Sequence, residues 1–307
     1  MTLINVDFLS LCAVSIITYT FIKFLYMTPD ITKMPSNNEP LNPITNGLSY
    51  NLIIARYNES LEWLNRSNYI NQFNTIKCYN KGDKLSLDIL KYATNNPDQF
   101  DILTLPNIGR EVHTYLTYII DNYDNLGDIN VFVTGSCDGE YKWYKTLNTF
   151  KLCFNNKNSV FLCEIVDDDF SKIAPFSINE YTSSDINNRN ANNNKQLEES
   201  SLRPYGNWYK QIFNDLPLEY YCLRGIFAVS KQHIHNQPIE FYKNLLNYVN
   251  TTPNPETGHY IERSWIAIFN PIPKECLYPI PAYIIKDYFN TKINSKYNSF
   301  SWPDIPK

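Results

Sequence analysis

The chain is poor in glycine, with nine in 307 residues. Where glycine is this scarce, each one marks a place where the backbone needs a positive φ or close approach to another group. Six of them, Gly82, Gly109, Gly135, Gly206, Gly225 and Gly258, fall in segments that stand out below on other grounds. Seven cysteines contain no C-x-x-C pair and no zinc spacing, which excludes a zinc-ribbon or thioredoxin-like site. A chain of this length needs no disulfide framework, so Cys12, Cys78, Cys137, Cys153, Cys163, Cys222 and Cys276 read as buried thiols. His233 and His235 have no acidic or cysteine companion and read as a helix-end or surface pair rather than a metal site. There is no excess of basic charge either: 27 basic against 31 acidic residues give a net −4, which argues against a broad nucleic-acid footprint.

Apolar material is plentiful. With 43% hydrophobic and 15% aromatic residues the chain can bury a large core, which excludes disorder as its main state. Residues 8–27, FLSLCAVSIITYTFIKFLYM, are nearly continuously apolar over the length of a bilayer-spanning helix. Lys23 is the only interruption and lies near one end, where it can snorkel, and Tyr19 and Tyr26 suit an interface. The run lacks a basic leader and a small-x-small cleavage site, so residues 1–28 read as an uncleaved signal-anchor of a single-pass membrane protein. Its orientation is contested, because Lys23 and Lys33 favour a cytoplasmic domain whereas the sequons at Asn58, Asn65 and Asn250 favour a lumenal one. Residues 29–48, with Pro29, Pro35, Pro40 and Pro43, read as a stem.

From residue 49 the pattern changes. YNLIIARYNES gives a buried strand running into a polar loop and a helix from about Ser60, FNTIKCYNKG a second strand, INVFVTG a third and RGIFAVS a fourth. Strands alternating with helices predict an α/β fold, with a mostly parallel sheet flanked by helices, over 49–270. Within it, 183–202 is a polar, asparagine-rich insertion expected to be disordered, and 271–307 a Pro- and Tyr-rich extension.

Ligands of open α/β sheets bind beyond the carboxyl ends of the strands. There the sequence offers Arg56, Asn58 and Glu59 after the first strand, Asn80 and Lys81 after the second, and Thr134, Asp138 and Glu140 after the third. LPNIGREVHTYLTYIIDNYDNL predicts a helix from Arg110 with an apolar stripe of Val112, Tyr115, Leu116, Ile119, Ile120 and Tyr123. Its amide-rich N-terminus, with Asn107, Gly109 and Arg110, can form an anion pocket. The competing reading makes Asn107 a cap, Glu111 a dipole partner and Arg110 a surface ion pair. Further on, Tyr205, Asn207 and Trp208 open one helix. A second helix turns Ile261, Trp265 and Ile268 to the core and keeps Glu262 and Arg263 off that stripe.

The blocks IIARYNESLEWL, LPNIGREVHTYL, PYGNWY and GHYIERSWIAIF occur in the order and spacing of a family of proteins without assigned function, marked by ARYNE, N-x-GRE-x-x-TYL and ERxW. That family is similar to GT-A-type glycosyltransferases, which are Rossmann-related. The resemblance implies a membrane-anchored protein that transfers a sugar from a nucleotide-activated donor to a glycan acceptor. The alternative is a non-catalytic glycan- or nucleotide-binding membrane protein. In the transferase reading Arg56, Asn58, Glu59, Lys81, Asn107, Gly109 and Arg110 hold the donor. Tyr205, Asn207, Trp208 and Arg263 face the acceptor, and Glu262, or else Glu111, is the general base. Asp138 and Glu140 imitate the acid-x-acid pair that holds Mn²⁺ or Mg²⁺ against a diphosphate, with Asp167, Asp168 and Asp169 competing for that role.

Overall fold

The computed structural model describes residues 47–85, 99–166, 170–178 and 197–280, without the side chains of residues 140 and 141. The anchor, the stem up to residue 46, Asp167–Asp169, residues 183–196 of the polar insertion and the extension beyond residue 280 lie outside the described residues. Among those described, no helix is long and apolar enough to cross a membrane.

The fold is mixed α/β, with a mostly parallel central sheet flanked by helices. In chain order its strands are β1 (Tyr50–Arg56), β2 (Thr75–Asn80), β3 (Phe100–Thr104), β4 (Ile129–Thr134), β5 (Phe161–Ile165), β6 (Leu197–Glu198), β7 (Tyr220–Tyr221), β8 (Phe227–Ser230), β9 (Asn254–Pro255) and β10 (Leu277–Pro279). The helices are α1 (Arg110–Asp121), α2 (Glu140–Asn156), α3 (Tyr205–Phe213), α4 (Lys231–Ile234), α5 (Ile239–Asn247), α6 (Glu256–Arg263) and α7 (Trp265–Ile268). The main sheet has the order β3-β2-β1-β4-β8. β1 pairs in parallel with both β2 and β4, and β2 with β3. The strand expected as a fourth parallel member, β8, instead runs antiparallel to β4. β3 was not foreseen, because FDILT is largely exposed and lacks the buried pattern of its neighbours.

All six residues of β4 are buried, as are Leu52, Ile53 and Ile54 of β1, because helices cover both faces of the sheet. On one face Tyr115 of α1 packs on Phe132 (ring centroids 4.9 Å), Phe132 on Phe227 (5.1 Å) and Phe227 on Trp265 (5.1 Å). On the other face Phe154 of α2 meets Tyr50 at 4.7 Å and Phe73 at 5.1 Å. Each fully buried aromatic contributes roughly 1.5–3 kcal/mol, more than a surface ion pair, so these two layers hold the sheet in register. The stripe read for α1 is the face it buries, and Ile261, Trp265 and Ile268 are fully buried as well. The six described cysteines are free and buried. The helix expected from Ser60 is only a short 3-10 turn, Glu62–Arg66.

Two boundaries move. The polar insertion does not run unstructured to 202, since β6 pairs with β9. The cause is the fully buried carboxylate of Glu256, which accepts the Ile178 amide on Oε1 (2.8 Å) and the Ser200 amide on Oε2 (2.8 Å), and which meets Arg203 Nε at 3.0 Å. The domain also continues past 270, because β10 pairs in parallel with β5.

Tyr118 couples α1 to the sheet through polar groups as well. Its hydroxyl donates to Asn130 Oδ1 (2.6 Å) and accepts from Asn51 Nδ2 (3.0 Å), and Asn130 is fully buried. Tyr118→Phe strands that acceptor, so urea unfolding should report a loss of about 1–3 kcal/mol.

Candidate active site at the carboxyl end of the sheet

Three chain turns leave the carboxyl ends of β1, β2 and β4 side by side, and the register sets Arg56 opposite Asn80 and Ala55 opposite Thr134. The residues read as donor ligands after β1 mostly bind one another. Arg56 is 8% exposed and donates to Glu59 O (2.9 Å), Tyr57 O (2.9 Å), Asn80 Oδ1 (2.5 Å) and Asp83 O (3.1 Å). Asn58 Oδ1 accepts the Asp83 amide (2.7 Å), and Glu59 Oε2 the Tyr57 amide (2.6 Å). A guanidinium shut away from water needs acceptors for its donors, and here neighbouring loops supply them to Nε and Nη1. These side chains form a floor rather than a ligand pocket.

Lys81 also faces inward. Its Nζ donates to Ile108 O (2.6 Å) and Arg110 O (2.5 Å), pinning the turn that starts α1. Gly109 (φ 61°) and Arg110 (φ 54°) are both left-handed in that turn, and the Gly109 amide donates to Thr252 O (2.7 Å). A Cβ on Gly109 would lie 2.2 Å from the Val249 carbonyl oxygen. The close approach read as made to a ligand is therefore made to the 249–252 loop, and the exposed Asn107 does not cap the helix.

Above the floor a second set of groups converges. Arg110 Nε lies 3.6 Å from Glu111 Oε2 and its Nη1 3.3 Å from Asn254 Oδ1. Glu111 Cγ packs against Gly225, 3.0 Å from where a Cβ would stand. The next residue back, Arg224, is exposed and left-handed (φ 76°), and its amide donates to Glu262 Oε1 (2.6 Å). Glu262 Oε2 is 4.0 Å from His259 Nδ1. Lys142, in the first turn of α2, donates to Ser136 Oγ (2.7 Å) and Thr134 Oγ1 (3.5 Å) at the end of β4. Burial pulls its ammonium below the usual lysine range, Glu111 and Glu262 oppose that, and Arg224 and Arg110 add to it. A chain of contacts thus runs from Arg110 through Glu111 to the Arg224–Gly225 turn and on to Glu262, and Lys142 stands at the carboxyl end of β4. Glu111, Glu262 and Arg110 belong to the expected set; Lys142 and Arg224 do not.

A buried pair sets Arg224 in place. Lys145, fully buried, lies 3.9 Å from Glu164 and donates to Leu223 O (2.8 Å), while the Leu223 amide reaches Glu164 Oε2 at 3.4 Å. Both backbone polar groups of Leu223, the residue before the strained turn, are held.

The acceptor-side residues fall elsewhere. Tyr205 and Trp208 are core side chains, with the Tyr205 hydroxyl 2.9 Å from Ser264 Oγ. Arg263 lies 3.6 Å over the Phe176 ring and donates to His259 O. Asn207 lines a groove of about 910 Å³ with Ile165, Val166, Phe170, Tyr209 and Leu218, and none of the clustered charges lines it. Asp138 is ion-paired with Arg66 at 2.7 Å, its side chain 37% exposed. Among the described residues no group of three or more His, Cys, Asp or Glu side chains could hold a metal.

Gly109→Ala should cost at least about 1–2 kcal/mol from the left-handed backbone alone, with the Val249 clash added, and chemical denaturation measures it. A second expectation concerns pH. Burial lowers Lys81 to about 7, with Glu111 opposing and Arg110 assisting, against 10.5 for a free lysine. Between those values the unfolded chain holds a proton that the folded chain has released, so folding gains stability as pH rises from 7 toward 10. Lys81→Met should flatten that rise when unfolding is followed across the range.

A family described as "Protein of unknown function (DUF3431)" matches residues 52–283, which span both the floor and the charged cluster above it. No curated protein matches the chain. With well over half of its length matched, and with β1 through β10 inside or bordering the matched stretch, the chain belongs to this family of proteins of unknown function.

Proposed function

We propose that the chain is a sugar transferase whose donor is a nucleoside diphosphate sugar, bound above the carboxyl ends of β1 and β4, with residues 8–27 as its membrane anchor. The observation that carries this reading is the run of contacts from Arg110 through Glu111 to the Arg224–Gly225 turn and Glu262, with Lys142 at the end of β4. The strand order supports it: β1 leads to β2 and β3 on one side and has β4 on the other, so the crevice beside β1 is a topological switch point.

In the reaction the bond between the anomeric carbon and the diphosphate oxygen breaks as the acceptor hydroxyl forms a new bond to that carbon. The departing diphosphate gains negative charge, which the two guanidiniums and the ammonium stabilise. The acceptor's proton goes to Glu262. Its Oε1 is fixed by the Arg224 amide, so the carboxylate is oriented before substrate arrives, and Oε2 takes the proton. Glu111, held against Gly225 and Arg110, keeps the guanidinium aimed at the phosphates.

The test is to incubate the full-length chain in detergent with a panel of nucleotide sugars and simple glycosides and to measure release of nucleoside diphosphate. Release that falls by 10²-fold or more in Glu262→Gln is the expected result. Nucleotide binding without release would make the chain a binding module, and neither binding nor release from any donor would end the transferase reading.

A further inference from the structure

We propose that the ammonium of Lys142 and the guanidiniums of Arg110 and Arg224 hold a diphosphate by themselves, so that nucleoside diphosphates bind this chain without a divalent cation. The inference rests on the donor reading above and departs from the Mn²⁺ or Mg²⁺ that GT-A likeness implies. A divalent ion that bridges phosphates is held by hard oxygen ligands, chiefly carboxylates. At the carboxyl end of β4 the described side chains present a different chemistry. Lys142 Nζ occupies that end, hydrogen-bonded to the hydroxyls of Ser136 and Thr134. Asp138, the described half of the expected acid-x-acid pair, is turned to Arg66 at 2.7 Å, and Arg66 in turn lies 5.2 Å over the Trp143 ring. A divalent cation set beside β4 would meet an ammonium, whereas a phosphate there would be attracted to it.

The second support is how the cations are held. Arg224 keeps a left-handed backbone that a non-glycine residue adopts at a cost, its amide is taken by Glu262, and Lys145 and Glu164 clamp the preceding peptide. Arg110 keeps the same kind of backbone at the head of α1, where Lys81 pins its carbonyl. Two guanidiniums on strained turns and an ammonium at the end of β4 offer planar forks and a point charge, which together suit the oxygens of two linked phosphates.

The experiment is calorimetric titration of uridine diphosphate, guanosine diphosphate and inorganic pyrophosphate into the full-length chain, first in EDTA and then in Mn²⁺. Dissociation constants within about threefold in the two conditions are expected. Lys142→Met should weaken binding at least tenfold in EDTA, and Lys142→Arg should restore part of it. Arg224→Gly is the second variant, because glycine accepts the left-handed backbone. It should melt no lower than wild type yet bind at least tenfold more weakly, a combination that a structural role for Arg224 does not give. Binding that appears only with Mn²⁺ overturns the inference while the donor reading stands. Binding unaffected by both Lys142→Met and Arg224→Gly overturns it too, and no binding of any of the three under either condition overturns both.

Discussion

The carboxyl end of the sheet depends on one buried guanidinium. Arg56 ends β1 and ties the loop after β1 to the loop after β2 through three carbonyls and the Asn80 amide oxygen. Its own carbonyl accepts the Lys81 amide at 2.8 Å, and beside it the Ala55 carbonyl accepts the Gly135 amide at 2.7 Å, so both parallel ladders continue past the strands. A charge this buried is tolerated only when surrounded by acceptors, and removing any of them leaves a desolvated donor behind. The result is a rigid floor made entirely from local chain. Whatever binds above it meets side chains delivered from α1, α2, the turn before β8, and α6.

Those side chains come from distant parts of the sequence, and their charges interleave. Arg110 sits against Glu111, and Arg224 against Glu262 through its amide. The alternation offsets most of the repulsion that three cations in a partly buried crevice would feel, and screening by salt is weak there.

Much of the architecture was legible because it follows from period and burial. The stripe of α1 and the apolar runs of β1, β2 and β4 face inward as their spacing requires. Strand direction was not legible for β8, since what reverses it is the excursion from Gly135 to Gly225 rather than anything in FAVS. The site was half legible. Arg110 and Glu111 follow a glycine at a helix start and Glu262 closes a helix, boundaries where function is sought first. Arg56, Asn58 and Glu59 follow a strand end, and a polar residue there looks the same whether it serves a ligand or a neighbouring loop. Lys142 sits inside a helix whose other residues give it no distinction, and Arg224 lies three residues before the last strand of the main sheet. The one available signal was that each lies within eight residues of a strand end facing the same crevice.

Glu256 has a different kind of consequence. Its two oxygens hold the amides of Ile178 and Ser200, so these two points of the chain are fixed together at a single buried carboxylate on α6. Loop-closure entropy grows only with the logarithm of loop length once the ends are fixed. The stretch between those two amides can therefore lengthen, shorten or change composition during evolution at little cost to the fold. That tolerance sits at the opposite end of α6 from Glu262.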